Sequence, residues 1–127
     1  MLKHLFAAVL GATALGVTAA PALAQGNQCF VTTEWNGWKA PDDHTIYLNV
    51  FNHKIYRLDL SSSCPALMWP DARLITHDQS GNGYYCSALD WDLKVGDSHG
   101  VKTACIVSKM TLLTPEQAAA IPRKFRP

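Results

Sequence analysis

Thr45-Ile-Tyr-Leu-Asn-Val-Phe51 and Ile55-Tyr-Arg-Leu-Asp-Leu60, separated only by Asn52-His53-Lys54, decide the fold. Both stretches alternate apolar with polar residues and are rich in β-branched and aromatic side chains, the pattern of strands with one buried face. The short polar spacer makes them a β-hairpin. A three-residue loop sets Phe51 opposite Ile55, Val50 opposite Tyr56, Leu48 opposite Leu58 and Ile46 opposite Leu60, so one face is uniformly apolar. A two-residue loop would oppose Leu48 to Arg57 and Ile46 to Asp59, and a one-residue slip moves every side chain to the wrong face. In the first register the outer face pairs Tyr47 with Asp59 and Asn49 with Arg57.

Upstream, Cys29 to Trp35 reads as a strand, closed by a loop of turn formers from Asn36-Gly37 to Asp42-Asp43. Downstream, Ser61-Ser62-Ser63-Cys64-Pro65 breaks the hairpin, and Ala66 to Met68 suits a helical turn. Arg73 to His77 is a short strand ended by Asp78-Gln-Ser-Gly-Asn-Gly83. Tyr85 to Val95 alternates, which would bury Leu89, Trp91, Leu93 and Val95 and put Asp90, Asp92 and Lys94 outside. Thr103 to Leu113 is the last strand. Thr114-Pro115-Glu116-Gln117 then starts a helix with a hydroxyl N-cap, Pro at N1 and Gln at N3, and Pro122 stops it. The expected fold is all-β and mainly antiparallel: a small disulfide-stapled β-barrel or roll of five to six strands with a short C-terminal helix.

Residues 1–24 read as a cleaved signal peptide. Met1 to His4 is a short positive start, Leu5 to Ala20 is apolar, and Ala22-Leu23-Ala24 is a small-x-small cleavage signal. The apolar run is about 16 residues, interrupted by Gly and Thr, whereas a membrane-spanning helix needs roughly 20. Cys29 lacks the small-apolar context of a lipidation site. Residues 25–127 then form one small β domain with a basic C-terminal tail, in the periplasm or, as second choice, secreted. Lys3 leaves with the leader, so eleven basic residues become ten against ten acidic ones. A neutral chain has no basic stripe to displace counterions from phosphates, which argues against nucleic acid as partner. Arg123-Lys124-Phe125-Arg126 reads as a solvated tail, with a weak hold on an anionic surface as the sharper reading.

An exported chain with four cysteines is read as disulfide-bonded. No C-x-x-C pair is present, so the spacing speaks for staples over redox catalysis. Four cysteines allow three connectivities; the preferred one joins Cys29 to Cys105, tying first strand to last, and Cys64 to Cys86.

Other chemistry is sparse. Asp78 to Gly83 resembles half a calcium loop, but Leu89 occupies the position of the closing bidentate carboxylate, and a Gly- and Asn-rich turn explains the same residues. His44, His53, His77 and His99 fall in separate loops or strand ends without paired metal-ligand spacing. No G-x-S-x-G elbow is present, and Asp90 with Asp92 reads as a solvated strand face. Trp35, Trp38 and Trp69 sit in or beside loops; such rings either cap the open end of a small barrel or anchor a partner.

Cys29, Asp42-Asp43, Tyr56-Arg57-Leu58-Asp59-Leu60, Cys64, Gly83-Tyr84-Tyr85-Cys86, Cys105 and Leu113-Thr114-Pro115-Glu116 occur in an order that resembles a family of small exported proteobacterial proteins of unknown function with paired cysteines. The resemblance implies a periplasmic β domain and transfers no functional residue. The functional expectation is a non-enzymatic binding or structural module of the envelope. Its partner would be an envelope protein or peptidoglycan-associated component, met through Trp35, Trp38 and Trp69 without cofactor or metal. The alternative is a small hydrolase or metal-dependent enzyme using His44, His77 and nearby aspartates.

Overall fold

The computed structural model describes residues 28–127; the leader read at residues 1–24 and its cleavage site lie outside the described residues. The strands are β1 (Phe30–Val31), β2 (Trp35–Asp42), β3 (Thr45–Val50), β4 (Lys54–Leu60), β5 (Arg73–Asp78), β6 (Tyr84–Tyr85), β7 (Trp91–Gly96), β8 (Lys102–Cys105) and β9 (Val107–Leu112), followed by helix α1 (Pro115–Ala120). All pairings are antiparallel and form a four-stranded sheet β2-β3-β4-β9, a three-stranded sheet β5-β7-β8 and a ribbon β1-β6. The expected class therefore holds: antiparallel β, one short helix and two disulfides. Among the described residues the sheets do not close into a barrel, and nine strand segments replace the expected five to six, because bulges and corners cut the longer runs.

The central hairpin forms with the expected faces but a register displaced by two. Leu48 opposes Tyr56, Ile46 opposes Leu58 and Tyr47 opposes Arg57. An even displacement keeps every side chain on its own face. It arises because Phe51 leaves the strand: Phe51 and Asn52 adopt φ of 53° and 64°, the left-handed pair that turns a tight hairpin. The three-residue loop is thus Phe51-Asn52-His53. Ile46, Leu48, Val50, Tyr56, Leu58 and Leu60 are buried together with Trp91, Leu93 and Val95 of β7, so the two larger sheets share one core.

Three further expectations are corrected. Asn36 to Asp42 is strand, not loop: β2 pairs with β3 through register shifts at Asn36 and between Lys39 and Asp42, and those irregularities hide the alternation. The run from Tyr85 to Val95 is broken by a 3-10 turn, Ala88–Asp90, capped by the Ser87 hydroxyl and the Asp90 carboxylate. Leu89, expected inside, is 85% exposed on that turn, and Asp90 faces the loop backbone instead of sharing an outer strand face with Asp92. The last strand breaks at Ile106. Cys105 pairs with Leu93 in one sheet and Val107 with Leu60 in the other, so the chain crosses between sheets there.

The helix start is as expected, with Thr114 and Gln117 forming a reciprocal capping box. The basic tail is not wholly solvated. Arg126 donates from Nε to the Ile121 carbonyl at 2.8 Å and from Nη2 to the Ala119 carbonyl at 2.5 Å, capping the end of α1, and Ile121 is buried.

All four cysteines are bonded, but the preferred connectivity is wrong: the pairs are Cys29–Cys86 and Cys64–Cys105. The first strand pairs with β6, not with the last strand. Phe30 opposes Tyr85, so Cys29 and Cys86 are the next residues along the ladder, with Cα atoms 4.1 Å apart. Cys64 leaves β4 where Ser61 donates its N–H to the Ile106 carbonyl at 2.9 Å, beside Cys105 at the crossing between sheets.

Candidate functional site

The tryptophans expected to bind a partner are anchored side chains. Trp35 opposes Val50 and Trp38 opposes Leu48. Three residues apart on a regular strand they would face opposite ways; the extra residue at Asn36 turns both toward the core. Trp69 follows the 3-10 turn Pro65–Met68, and all three rings are half-buried against the core. They lie on β2, whose outer edge is unpaired among the described residues, and beside a turn that packs against β2. Ring-to-ring contacts among the described residues join instead Phe30, Tyr56, Tyr85 and Trp91.

The carboxylates have structural employment. Asp43 accepts a hydrogen bond from the Ser63 hydroxyl and meets His44 Nδ1 at 2.6 Å. Asp71 accepts from the Ser98 hydroxyl and, at 2.8 Å, from the Ser98 N–H. Asp78 accepts from the Ser80 hydroxyl at 2.5 Å and from the Gly83 N–H at 2.5 Å, so the half calcium loop uses its first carboxylate to close its own turn. Asp90 takes the N–H groups of Cys86 and Ser87, and Asp97 those of His99 and Val101. The Ser63 hydroxyl, then His44, lowers the pKa of Asp43. Ser98 does the same for Asp71, and Ser80 for Asp78.

A carboxyl group whose pKa is lower folded than unfolded stabilises the fold fully above its unfolded pKa and loses that contribution as pH falls through the folded value. The melting temperature is expected to be insensitive to these groups between pH 7 and 5 and to drop below the ordinary value of 3.8. The triple variant Asp43→Asn, Asp71→Asn, Asp78→Asn should flatten that acid limb in a pH series of thermal melts. An unchanged limb would show that other groups carry it.

Asp42, Asp43 and His44 are the one group of three potential metal ligands close together among the described residues, each offering one ligand atom within 4.8 Å of the others. Oxygens of both aspartates are already engaged: Asp42 accepts from the His44 N–H at 2.8 Å, and both Asp43 oxygens are bonded. His77, the alternative's other histidine, stands apart on β5 opposite Asp92. The order Ser63–Asp43–His44 also fails as a triad, because the carboxylate sits between hydroxyl and imidazole, where the imidazole must touch the hydroxyl to take its proton.

One constellation has no warning in the alternation pattern. Arg73, Gly96 and Lys102 form a row across β5, β7 and β8, on the face away from the core. The signal available in the sequence is the glycine itself, which inside or at the end of a strand marks close approach or missing bulk.

No curated protein and no solved structure matches the chain. The family of unknown function DUF6491 matches residues 1–126. The chain, with its two disulfides and its antiparallel sheets, belongs to that family.

Proposed function

We propose that the protein is an exported, periplasmic binding module of the cell envelope, not a catalyst. It contacts an envelope protein or a peptidoglycan-associated component along the edge bearing Trp35, Trp38 and Trp69. The observation that carries this reading is the combination of anchoring and partial exposure at three indoles on or beside a strand edge that is unpaired among the described residues. A large amphipathic ring held by the core loses little conformational freedom on contact, which is what makes tryptophan a frequent binding anchor. Edge strand β2 is blunted against strand addition by its two irregularities, Lys39 and Pro41, so side chains and not backbone would meet the partner.

Two further observations support the reading. Two disulfides suit an oxidising compartment, in keeping with the leader read at residues 1–24. General acid–base chemistry wants a pKa near the working pH, and the carboxylates with resolved shifts next to serine or histidine move the opposite way.

The test is recovery of cross-linked partners from the native envelope by the wild type and by Trp35→Phe, Trp38→Phe and Trp69→Phe. Phenylalanine keeps most of the core contact, so circular dichroism should be preserved while partner recovery falls. Recovery unchanged in all three variants would remove the indole edge from the reading.

A further inference from the structure

The outer face of the three-stranded sheet holds a hollow of about 310 Å³ whose walls include Arg73, Ile75, Asp97, Ser98, Val101 and Lys102. Its cause is local. In the row Arg73–Gly96–Lys102 the middle strand contributes no side chain, and a Cβ placed on Gly96 would come to 3.0 Å of Ile75 Cδ1 and 3.8 Å of Lys102 Cγ. The flanking strands are two spacings apart, about 9.5 Å. The Ile75 side chain leans over Gly96, and the two longest basic side chain types stand on either side of the row.

The charge around the hollow is mixed: Arg73 and Lys102 face each other across it, and Asp97 also lines it. Among the described residues neither Arg73 nor Lys102 has a carboxylate within 4.0 Å, the guanidinium making only a 3.4 Å contact to the Asp97 carbonyl. The nearby carboxylates are turned to other work. Asp71 holds Ser98, Asp97 holds the N–H groups of His99 and Val101, and Asp92 lies 3.5 Å from Lys94. Those bonds also fix the loop from Asp97 to Val101 that forms one wall.

We propose that this hollow binds a phosphate group, bridged by the Arg73 guanidinium and the Lys102 ammonium beside the Ile75 side chain. A divalent tetrahedral oxyanion matches two cations on opposite sides, and the planar donor fork of arginine beside a point-charge ammonium is a recurrent way to hold phosphate. The volume lies at the small end of ligand pockets, which limits the ligand to a phosphorylated group of about monosaccharide size. The site lies on the other sheet from the tryptophan edge and does not depend on it.

The experiment is a titration of the folded protein with inorganic phosphate, followed by amide NMR shifts and compared with acetate and with chloride at matched ionic strength. Phosphate should saturate with a Kd in the millimolar range or tighter, moving the signals of Arg73, Gly96, Ser98 and Lys102. Acetate should bind at least roughly tenfold more weakly, having one charge to share between two cations. The double variant Arg73→Gln, Lys102→Gln should lose the saturable response while keeping its spectrum and its envelope partner. Equal responses to phosphate and chloride, equal affinity for acetate, or saturation surviving in the double variant would each overturn the proposal. Loss of partner recovery without loss of phosphate binding would instead be a result about the tryptophan edge.

Discussion

Replacing Cys64 and Cys105 together by serine is expected to lower the unfolding free energy by about 6–10 kcal/mol, against about 4 kcal/mol for the same change at Cys29 and Cys86. Chain entropy does not separate the two bonds. With separations of 41 and 57 residues, the loop-closure estimate gives about 4 kcal/mol for each. Burial does. Cys64 and Cys105 are 2% and 7% exposed and belong to the core, whereas Cys29 and Cys86 are exposed. Serines at the inner pair leave two hydroxyls among apolar neighbours, each costing about 1–3 kcal/mol if it finds no partner. That total rivals the whole stability of a typical domain, so the inner variant should be largely unfolded in urea titrations at neutral pH. Graded reduction of the native protein followed by alkylation and mass mapping should open Cys29–Cys86 first, since a reductant must reach a sulfur to attack it. Alkylation of Cys64 or Cys105 before Cys29 or Cys86 in folded material would contradict this account.

The error in pairing shows what the chain's pattern carries and what it leaves out. Alternation revealed the hairpin from Thr45 to Leu60 and its buried face because six residues of β3 and seven of β4 repeat with period two, and faces are all that period two encodes. The register needed the backbone of Phe51, a bulky residue with no sequence sign of a left-handed φ. β1 and β6 are two residues each, too short for any period, and they alone decide that Cys29 meets Cys86. Alternation read Ala88 to Asp90 as strand, although Ser87 and Asp90 together form a local cap. The helix start was legible for the converse reason: Thr114, Pro115 and Gln117 act through neighbours in sequence. As for function, the tryptophans were visible as residue types, but their orientation depends on the extra residue at Asn36. The hollow at Gly96 depends on three strands meeting, which no local pattern can state.

Truncating Phe30 to alanine is expected to cost about 3–5 kcal/mol, the range for deleting a fully buried aromatic ring. Phe30 is 1% exposed and its ring centroid lies 4.8 Å from that of Tyr56, 5.7 Å from Tyr85 and 6.1 Å from Trp91. Those neighbours belong to three different pieces: Tyr56 to the four-stranded sheet, Trp91 to the three-stranded one and Tyr85 to the ribbon, where it stacks on Trp91 at 4.2 Å. One side chain therefore fastens the ribbon to both sheets. The adjoining bond, Cys29–Cys86, fastens the same two strands covalently, so the two devices are coupled. With the disulfide removed, Phe30 becomes the main reason for β1 to stay docked, and with Phe30 removed the disulfide holds two strands that no longer grip the core. Residues in direct contact through one element show non-additive effects of about 0.5–3 kcal/mol. A double-mutant cycle of Phe30→Ala with Cys29→Ser, Cys86→Ser, read by urea unfolding, should therefore give a total smaller than the sum of its parts, because once the ribbon has detached its second fastening has nothing left to hold. Strict additivity would mean that the ribbon stays docked through other contacts, and the ring cluster would then be packing detail with no part in joining the sheets.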